Sequence, residues 1–162
     1  MTIALDKSID TILATRKLFI KLIESLSIDQ LNNVPEGFNN NIIWNFAHVV
    51  VTQQIICYKL SGLPLKIDEK YVPLYSKATK PESFVDENEV AYFKQQAMSL
   101  VDEWVADVEK NIFGNFKPYT TSFNVELTGI NDALKFITMH EGLHLGYAMA
   151  LKRVVSKIET KS

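Results

Sequence analysis

The chain has 162 residues, of which 47% are hydrophobic and 22% are charged, and this composition indicates one globular domain over residues 1–162. Its net charge is −2, and no run of basic residues is longer than two. These two features exclude the concentrated positive field that nucleic-acid binding requires.

The sequence also argues against a membrane partner and against a disulfide. Cys57 is the single cysteine, so no intramolecular disulfide can form. No apolar run reaches the ~18 residues that a membrane span needs. The first residues enter an amphipathic segment and lack the apolar stretch of a signal peptide. We therefore expect a protein of the reducing cytoplasm.

Apolar residues spaced three and four apart predict four helices. The first covers about residues 6–26. Arg16 interrupts its apolar face, and we expect the stem of Arg16 to lie on apolar surface while its guanidinium reaches solvent. Residues 27–38 contain Pro35 and Gly37 and predict a connection between the first and second helices.

The second helix begins at the asparagines 39–41, which supply N-cap side chains, and continues to about Leu60. Gly62 followed by Pro64 is typical of a helix C-terminus. The connection that follows, residues 63–85, is too long for a tight helix hairpin. We expect it to cross the bundle, so that the second and third helices run in the same direction.

The third helix is predicted over residues 86–110, with Asp86 as its N-cap. Within the next connection, residues 119–123 are expected to be extended. The fourth helix is predicted over residues 130–156, with Thr128 as its cap.

Four helices of this length span about 30–40 Å each. Long helices with alternating faces in one small domain predict an all-α four-helix bundle. Binding sites in such bundles are built in the core from side chains of facing helices.

The three histidines of the chain can be placed on one metal ion. His140 and His144 are four residues apart, so on a helix they occupy the same face. His48 lies in a separate apolar stretch of the second helix, and its own face is core-like. Three imidazoles at about 2.0–2.1 Å from an ion would leave one coordination position open, as in catalytic zinc sites.

A buried polar network without metal is the alternative explanation of the same pattern. A lone histidine on an apolar face is more often a hydrogen-bonded core residue than a ligand. However, an unpartnered buried polar group costs roughly 1–3 kcal/mol, and one shared ion would satisfy all three imidazoles.

The two segments that contain these histidines resemble motifs of the DinB-like superfamily of metal-binding four-helix bundles. Residues 40–48 (NNIIWNFAH) resemble its W-N-x-x-H motif at the start of helix two. Residues 140–146 (HEGLHLG) resemble its H-x-x-x-H-x-G motif in helix four. The resemblance covers nearly the whole chain and implies an up-down-down-up helix order. Tyr147 departs from the pattern, since many relatives carry Gln there.

The resemblance implies a divalent metal ion, zinc or nickel and in some relatives iron, held by His48, His140 and His144 with water completing its shell. Some members of the superfamily transfer low-molecular-weight thiols, such as bacillithiol or mycothiol, onto electrophiles. Others are mycothiol-dependent isomerases, and many have no known activity. Family membership therefore supports a site more strongly than a reaction.

Three functions follow from these observations. The first is a metal-dependent thiol S-transferase, in which the reacting group is a thiolate at the ion and the partners are a small thiol and an electrophile. The second is a metal-dependent hydrolase that uses metal-bound water, with Glu141 as candidate base. Glu141 lies about 100° from the histidine face, so a solvated carboxylate is the simpler interpretation. The third is a non-catalytic metal- or ligand-binding stress protein.

Several other side chains are assigned roles by their spacing. Trp44 and Tyr147 lie close enough to the histidines to line a substrate cleft. Asn45 and Gln53 could accept hydrogen bonds from imidazole N–H groups, which metal-bound histidines normally require. Cys57 is about 180° from His48 around the helix, which favours a buried apolar role over a nucleophilic one.

Two glycines interrupt the fourth helix. Gly142 and Gly146 each cost up to about 1 kcal/mol relative to alanine. We expect them to permit a close approach of another helix, either within the bundle or across a homodimer.

Overall fold

Most of the described chain is helical. The computed structural model describes residues 5–158, with side chains for residues 7–157. It contains four long helices and two short ones, namely α1 (Leu5–Glu24), α2 (Ile28–Asn32), α3 (Ile42–Cys57), α4 (Val72–Tyr75), α5 (Glu87–Glu109) and α6 (Ile130–Ile158). The mostly helical class predicted from the sequence is confirmed.

Helix α3 lies at the centre of the molecule. Every residue of α3 is buried except Thr52 and Ile55, which are partly exposed. Helix α6 packs against both α1 and α3, and α5 contacts the same two helices. A helix that is apolar on nearly all sides can only be stable when it is surrounded in this way. The polar residues of α3 are consequently carried into the core.

The predicted start of α3 is confirmed at atomic detail. The Asn41 side chain accepts a hydrogen bond from the backbone N–H of Trp44 at 2.8 Å. The helix ends at Cys57, slightly before the predicted end, and continues as a 3₁₀ turn, Lys59–Ser61. Gly62 closes this turn with φ = 70°, a left-handed conformation that glycine adopts without strain.

The connection predicted over residues 27–38 contains one short helix, α2, which was not predicted from the sequence. The Ser27 hydroxyl accepts from the backbone N–H of Gln30, and the Gln30 side chain accepts from the backbone N–H of Ser27. This reciprocal capping stabilises a helix of only five residues.

The long connection between α3 and α5 is partly ordered as helix. It contains a 3₁₀ turn, Glu69–Tyr71, followed directly by α4. Asp86 caps α5 by accepting from the backbone N–H of Glu89, as predicted.

A small hairpin precedes α6. Strand β1 (Tyr119–Thr120) pairs antiparallel with β2 (Glu126–Leu127). The extended structure expected over residues 119–123 is therefore confirmed only for the first two, since residues 122–123 form a turn. Thr128 was expected to cap α6 as a hydrogen-bond acceptor, and this was wrong. Thr128 donates from its backbone N–H and its hydroxyl to Asp132, instead of accepting.

Arg16 does not reach solvent, and this prediction was wrong. Its side chain is fully buried and forms a salt bridge of 2.7 Å with Glu141 on α6. It also donates from Nη1 to the carbonyl of Ala97 on α5 at 2.7 Å. A guanidinium has enough donors to satisfy two partners at once, so it can be buried where the partners are fixed. Arg16 therefore links α1 to α5 and α6.

Within residues 5–158, none of the helices combines the length and the apolarity that crossing a bilayer demands.

Candidate metal centre

The structure brings His48, His140 and His144 together. One ring nitrogen from each lies within 4.8 Å of the others. His140 and His144 occupy successive turns of α6, and His48 faces them from α3. His48 and His140 are buried, whereas His144 is partly exposed. The cluster depends on the packing of α3 against α6.

A backbone carbonyl fixes the tautomer of His48. Its Nδ1–H donates to the carbonyl oxygen of Tyr75, in α4, at 2.6 Å. Because a carbonyl can only accept, Nδ1 must carry the proton. The lone pair of His48 is therefore on Nε2, which faces the other two rings.

An asparagine fixes the tautomer of His144 in the same way. Asn45 Nδ2 donates to the carbonyl of Asn41 at 2.7 Å, which determines the orientation of the Asn45 amide. Its Oδ1 is then turned toward His144 and accepts from Nδ1–H at 2.8 Å. This leaves the lone pair of His144 on Nε2. The role predicted for Asn45 as an imidazole acceptor is confirmed.

The spacing of one pair of nitrogens fits a metal ion. His48 Nε2 and His140 Nε2 are 3.3 Å apart. Two nitrogens bound at about 2.0–2.1 Å with a tetrahedral angle between them would lie about 3.3 Å apart. Two of the three rings also have their second nitrogen held by an oxygen acceptor, the arrangement that metal-binding histidines normally show.

The environment keeps all three imidazoles neutral at pH 7. Burial, followed by the proximity of His144 and His48, lowers the pKa of His140 to about 3. Burial, followed by the proximity of His48, lowers the pKa of His144 to about 4. Burial also lowers the pKa of His48, against the opposing effect of its bond to Tyr75. Neutral imidazole is the form that binds metal.

Aromatic rings hold two of the imidazoles in place. Trp44 stacks on His48, with ring centroids 4.6 Å apart and planes 11° apart. The Trp44 indole N–H donates to the carbonyl of Leu74 and to the hydroxyl of Thr79, both at 3.2 Å. Phe136, one turn before His140 on α6, stacks on that ring at 5.5 Å.

A cavity of about 330 Å³ opens beside the three histidines. This volume is in the range of small-molecule sites. Trp44 lines the cavity, and its role in binding a substrate stays a prediction. Tyr147 does not line it: its ring packs edge-on against Phe38 at 5.8 Å, so the cleft role predicted for it was wrong.

Glu141 was expected to be solvated, and this too was wrong. Its carboxylate is fully buried, and both oxygens accept hydrogen bonds from Arg16. It is therefore directed away from the cavity and is not free to act as a base there.

Gln53 was predicted to accept a hydrogen bond from an imidazole N–H group, and this was also wrong. It is buried beside Gln54, whose Nε2 donates to its Oε1, and it makes no hydrogen bond to an imidazole within the described residues.

Cys57 is fully buried, as predicted, and burial raises the pKa of its thiol.

Sequence reasoning missed three participants in the site. Thr52 lies one turn after His48, with its hydroxyl 3.3 Å from His48 Nε2. Phe136 lies one turn before His140. Same-face spacing of four residues could have identified both. The contribution of Tyr75 comes from its backbone carbonyl and has no counterpart in the sequence.

Neither helical glycine of α6 permits a close approach within the chain. A methyl group added at Gly142 or at Gly146 would meet no atom within 4 Å. The explanation from packing within the bundle was therefore wrong for the described residues, and the homodimer explanation stays a prediction.

Fold and site together define a mostly helical protein with a cluster of three neutral histidines at the wall of a cavity. A family model of the DinB superfamily matches residues 11–148, a range that includes all three histidines. The chain belongs to the DinB superfamily. A comparison with curated proteins finds no match.

Proposed function

We propose that this protein binds one divalent metal ion through His48, His140 and His144 and uses it to transfer a small-molecule thiol to an electrophile. Zinc or nickel is the proposed ion, with iron as a third candidate, since neutral imidazoles suit all three. The observation that carries the proposal is the convergence of three ring nitrogens, two with tautomers fixed by Tyr75 and Asn45, at the wall of a cavity.

Such an ion, when bound, would favour the ionised form of a thiol at its open position and so provide a nucleophile at neutral pH. The residues of the chain would orient the imidazoles, and the rings of Trp44 and Phe136 would limit their movement. The cavity would hold the electrophile next to the thiol. The thiol sulfur would form the new bond while the leaving group of the electrophile (bromide in monobromobimane) departs with the electrons of the broken bond, and the thiol proton would pass to solvent. Cys57 takes no part, since its thiol is enclosed in the core.

The hydrolase alternative receives less support. Its candidate base, Glu141, is paired with Arg16. Among the described residues, no carboxylate lines the cavity. The ion would lower the pKa of bound water as it would that of a bound thiol. A hydrolase would also need a group that protonates the leaving group, and the described lining offers no carboxylate for this step.

We extend the proposal to the whole molecule. Residues 1–162 would form one up-down-down-up four-helix bundle that acts in the cytoplasm. It would function as a homodimer, with a small thiol and an electrophile as its partners and with neither nucleic acid nor membrane bound.

The decisive experiment is metal analysis of protein purified without chelator, compared with a His144→Ala variant. We expect about one ion per chain in the wild type and none in the variant, with unchanged helical circular dichroism because the core is built by other residues. Equal metal content in both proteins would overturn the site. The metal-loaded wild type should then consume a thiol in the presence of monobromobimane. A metal-loaded protein that shows no metal-dependent rate with any bacterial thiol would leave the non-catalytic binding function.

A further inference from the structure

The charge of the cavity is unbalanced. Lys77 is the one charged side chain among the described residues that line it. The three histidines are neutral, and the ion proposed for them would add further positive charge. A ligand that enters this cavity therefore meets a positive field with no carboxylate to offset it.

Lys77 lies in a turn that is attached to the site. It follows Tyr75, whose carbonyl holds His48, by two residues. The turn is closed by a hydrogen bond from the backbone N–H of Thr79 to the carbonyl of Ser76, and the Thr79 hydroxyl accepts from Trp44. The backbone of Lys77 is thus fixed relative to the histidines. Its ammonium has no salt bridge with any carboxylate in the described part of the chain.

The remaining walls are largely apolar, and part of that surface is uncovered. Phe123, at the tip of the β1–β2 hairpin, is 52% exposed and packs edge-on against Phe136 at 6.3 Å. Leu143, on the turn between His140 and His144, is 53% exposed and also lines the cavity. An apolar ligand body would cover these side chains and remove them from water.

We infer that the substrate of this cavity is an amphipathic small molecule with an apolar or aromatic body and an anionic group, and that Lys77 binds the anionic group. The body lies against Phe123 and Phe136, and the opposite end of the molecule reaches the histidines. This inference rests on the proposed function, because it takes the metal as the inner end of the cavity. Lys77 is then a specificity-determining residue that selects acidic over neutral substrates.

The test uses two probes that differ in one charge. 4-(Sulfanylmethyl)benzoate carries a thiol for the ion, an aromatic body and a carboxylate, and the corresponding benzamide lacks the charge. Both are titrated calorimetrically into the zinc-loaded protein. We expect the wild type to bind the benzoate more tightly, and Lys77→Gln to weaken the benzoate by roughly tenfold while leaving the benzamide unchanged.

Two further variants sharpen the comparison. Lys80→Gln removes an exposed lysine three residues along the same loop that does not line the cavity, and it should leave both affinities unchanged. Phe123→Ala should weaken both probes alike, because it removes apolar contact without changing charge. If Lys77→Gln leaves the benzoate affinity unchanged, or lowers both affinities equally, the inference is overturned.

Zinc binding is measured separately in every variant. If zinc does not bind to the wild type, the proposed function fails. The inference is then tested in metal-free protein. It holds if the wild type binds the benzoate more tightly than the benzamide and Lys77→Gln removes that difference, and it fails otherwise. If zinc binds and the charge preference is absent, the inference alone fails.

Discussion

At the scale of single residues, the site depends on which nitrogen of each imidazole carries its proton. Tyr75 and Asn45 assign the proton to Nδ1 of His48 and of His144, and so direct both Nε2 lone pairs inward. Asn45 can do this only because Asn41 fixes its amide. The proposed ligand set would thus be oriented by residues that do not touch the ion.

Replacing Asn45 by leucine should weaken zinc binding by about 10–100-fold, because His144 loses the acceptor that orients it. Competition with a chromophoric chelator measures the affinity. Gln53→Met is the matched control: it alters another buried amide of α3 that makes no imidazole contact, and it should leave the affinity unchanged. Equal affinities for wild type and Asn45→Leu would show that the hydrogen bond has no role in binding.

The sequence indicated part of this residue-level arrangement. The spacing of four residues between His140 and His144 placed them on one helix face. Trp44 and Asn45 could be assigned to the site because they precede His48 by four and three residues. Gln53 could not be excluded by spacing, since its hydrogen bonds are decided by which helix faces it. The same holds for Glu141, whose partner is 125 residues away.

At the scale of secondary-structure elements, a buried ion pair joins three helices. Arg16 of α1 binds Glu141 of α6 and the Ala97 carbonyl of α5. Because Glu141 follows His140 directly, the pair also sets where this part of α6 lies. A buried pair of this kind is costly to break, since the remaining charge has no water around it.

Glu141→Gln should lower the free energy of unfolding by about 3–5 kcal/mol, because the Arg16 charge stays buried without a counter-charge. Urea denaturation of the metal-free protein measures this loss. Glu109→Gln, which alters an exposed carboxylate at the end of α5, should change stability by less than about 0.5 kcal/mol. The double variant Arg16→Met with Glu141→Leu should recover most of the loss. A Glu141→Gln protein as stable as the wild type would contradict a structural role for the pair.

The element boundaries followed from local chemistry where caps were present. Asn41 and Asp86 mark helix starts with side-chain acceptors, and both were predicted. Helix α2 was missed because Pro35 and Gly37 dominate the composition of that stretch. Helix α4 was missed because a helix of four residues depends on packing against α3 more than on its own propensity.

At the scale of the whole molecule, metal binding should be linked to folding. The three proposed ligands come from two helices far apart in sequence, so the unfolded chain offers no comparable site. Zinc at 100 times its dissociation constant should raise the free energy of unfolding by about 2.7 kcal/mol.

Chemical denaturation with and without zinc measures this increase, and a chelator should reverse it. Magnesium should have no effect, because it prefers oxygen ligands. The His144→Ala variant should show no increase with zinc. Stabilisation of that variant to the same degree as the wild type would show that the ion binds elsewhere.

The sequence by itself determined the four long helices, the apolar character of α3 and the pairing of His140 with His144. Periodicity, caps and i, i+4 spacing are local properties of the chain. Only the tertiary structure decided that His48 meets the other two histidines. It also decided that the Tyr75 carbonyl and Asn45 set the tautomers of His48 and His144, and that Arg16 and Glu141 are buried together. These outcomes depend on which helix faces which, and burial is a property of the packed molecule that no segment carries alone.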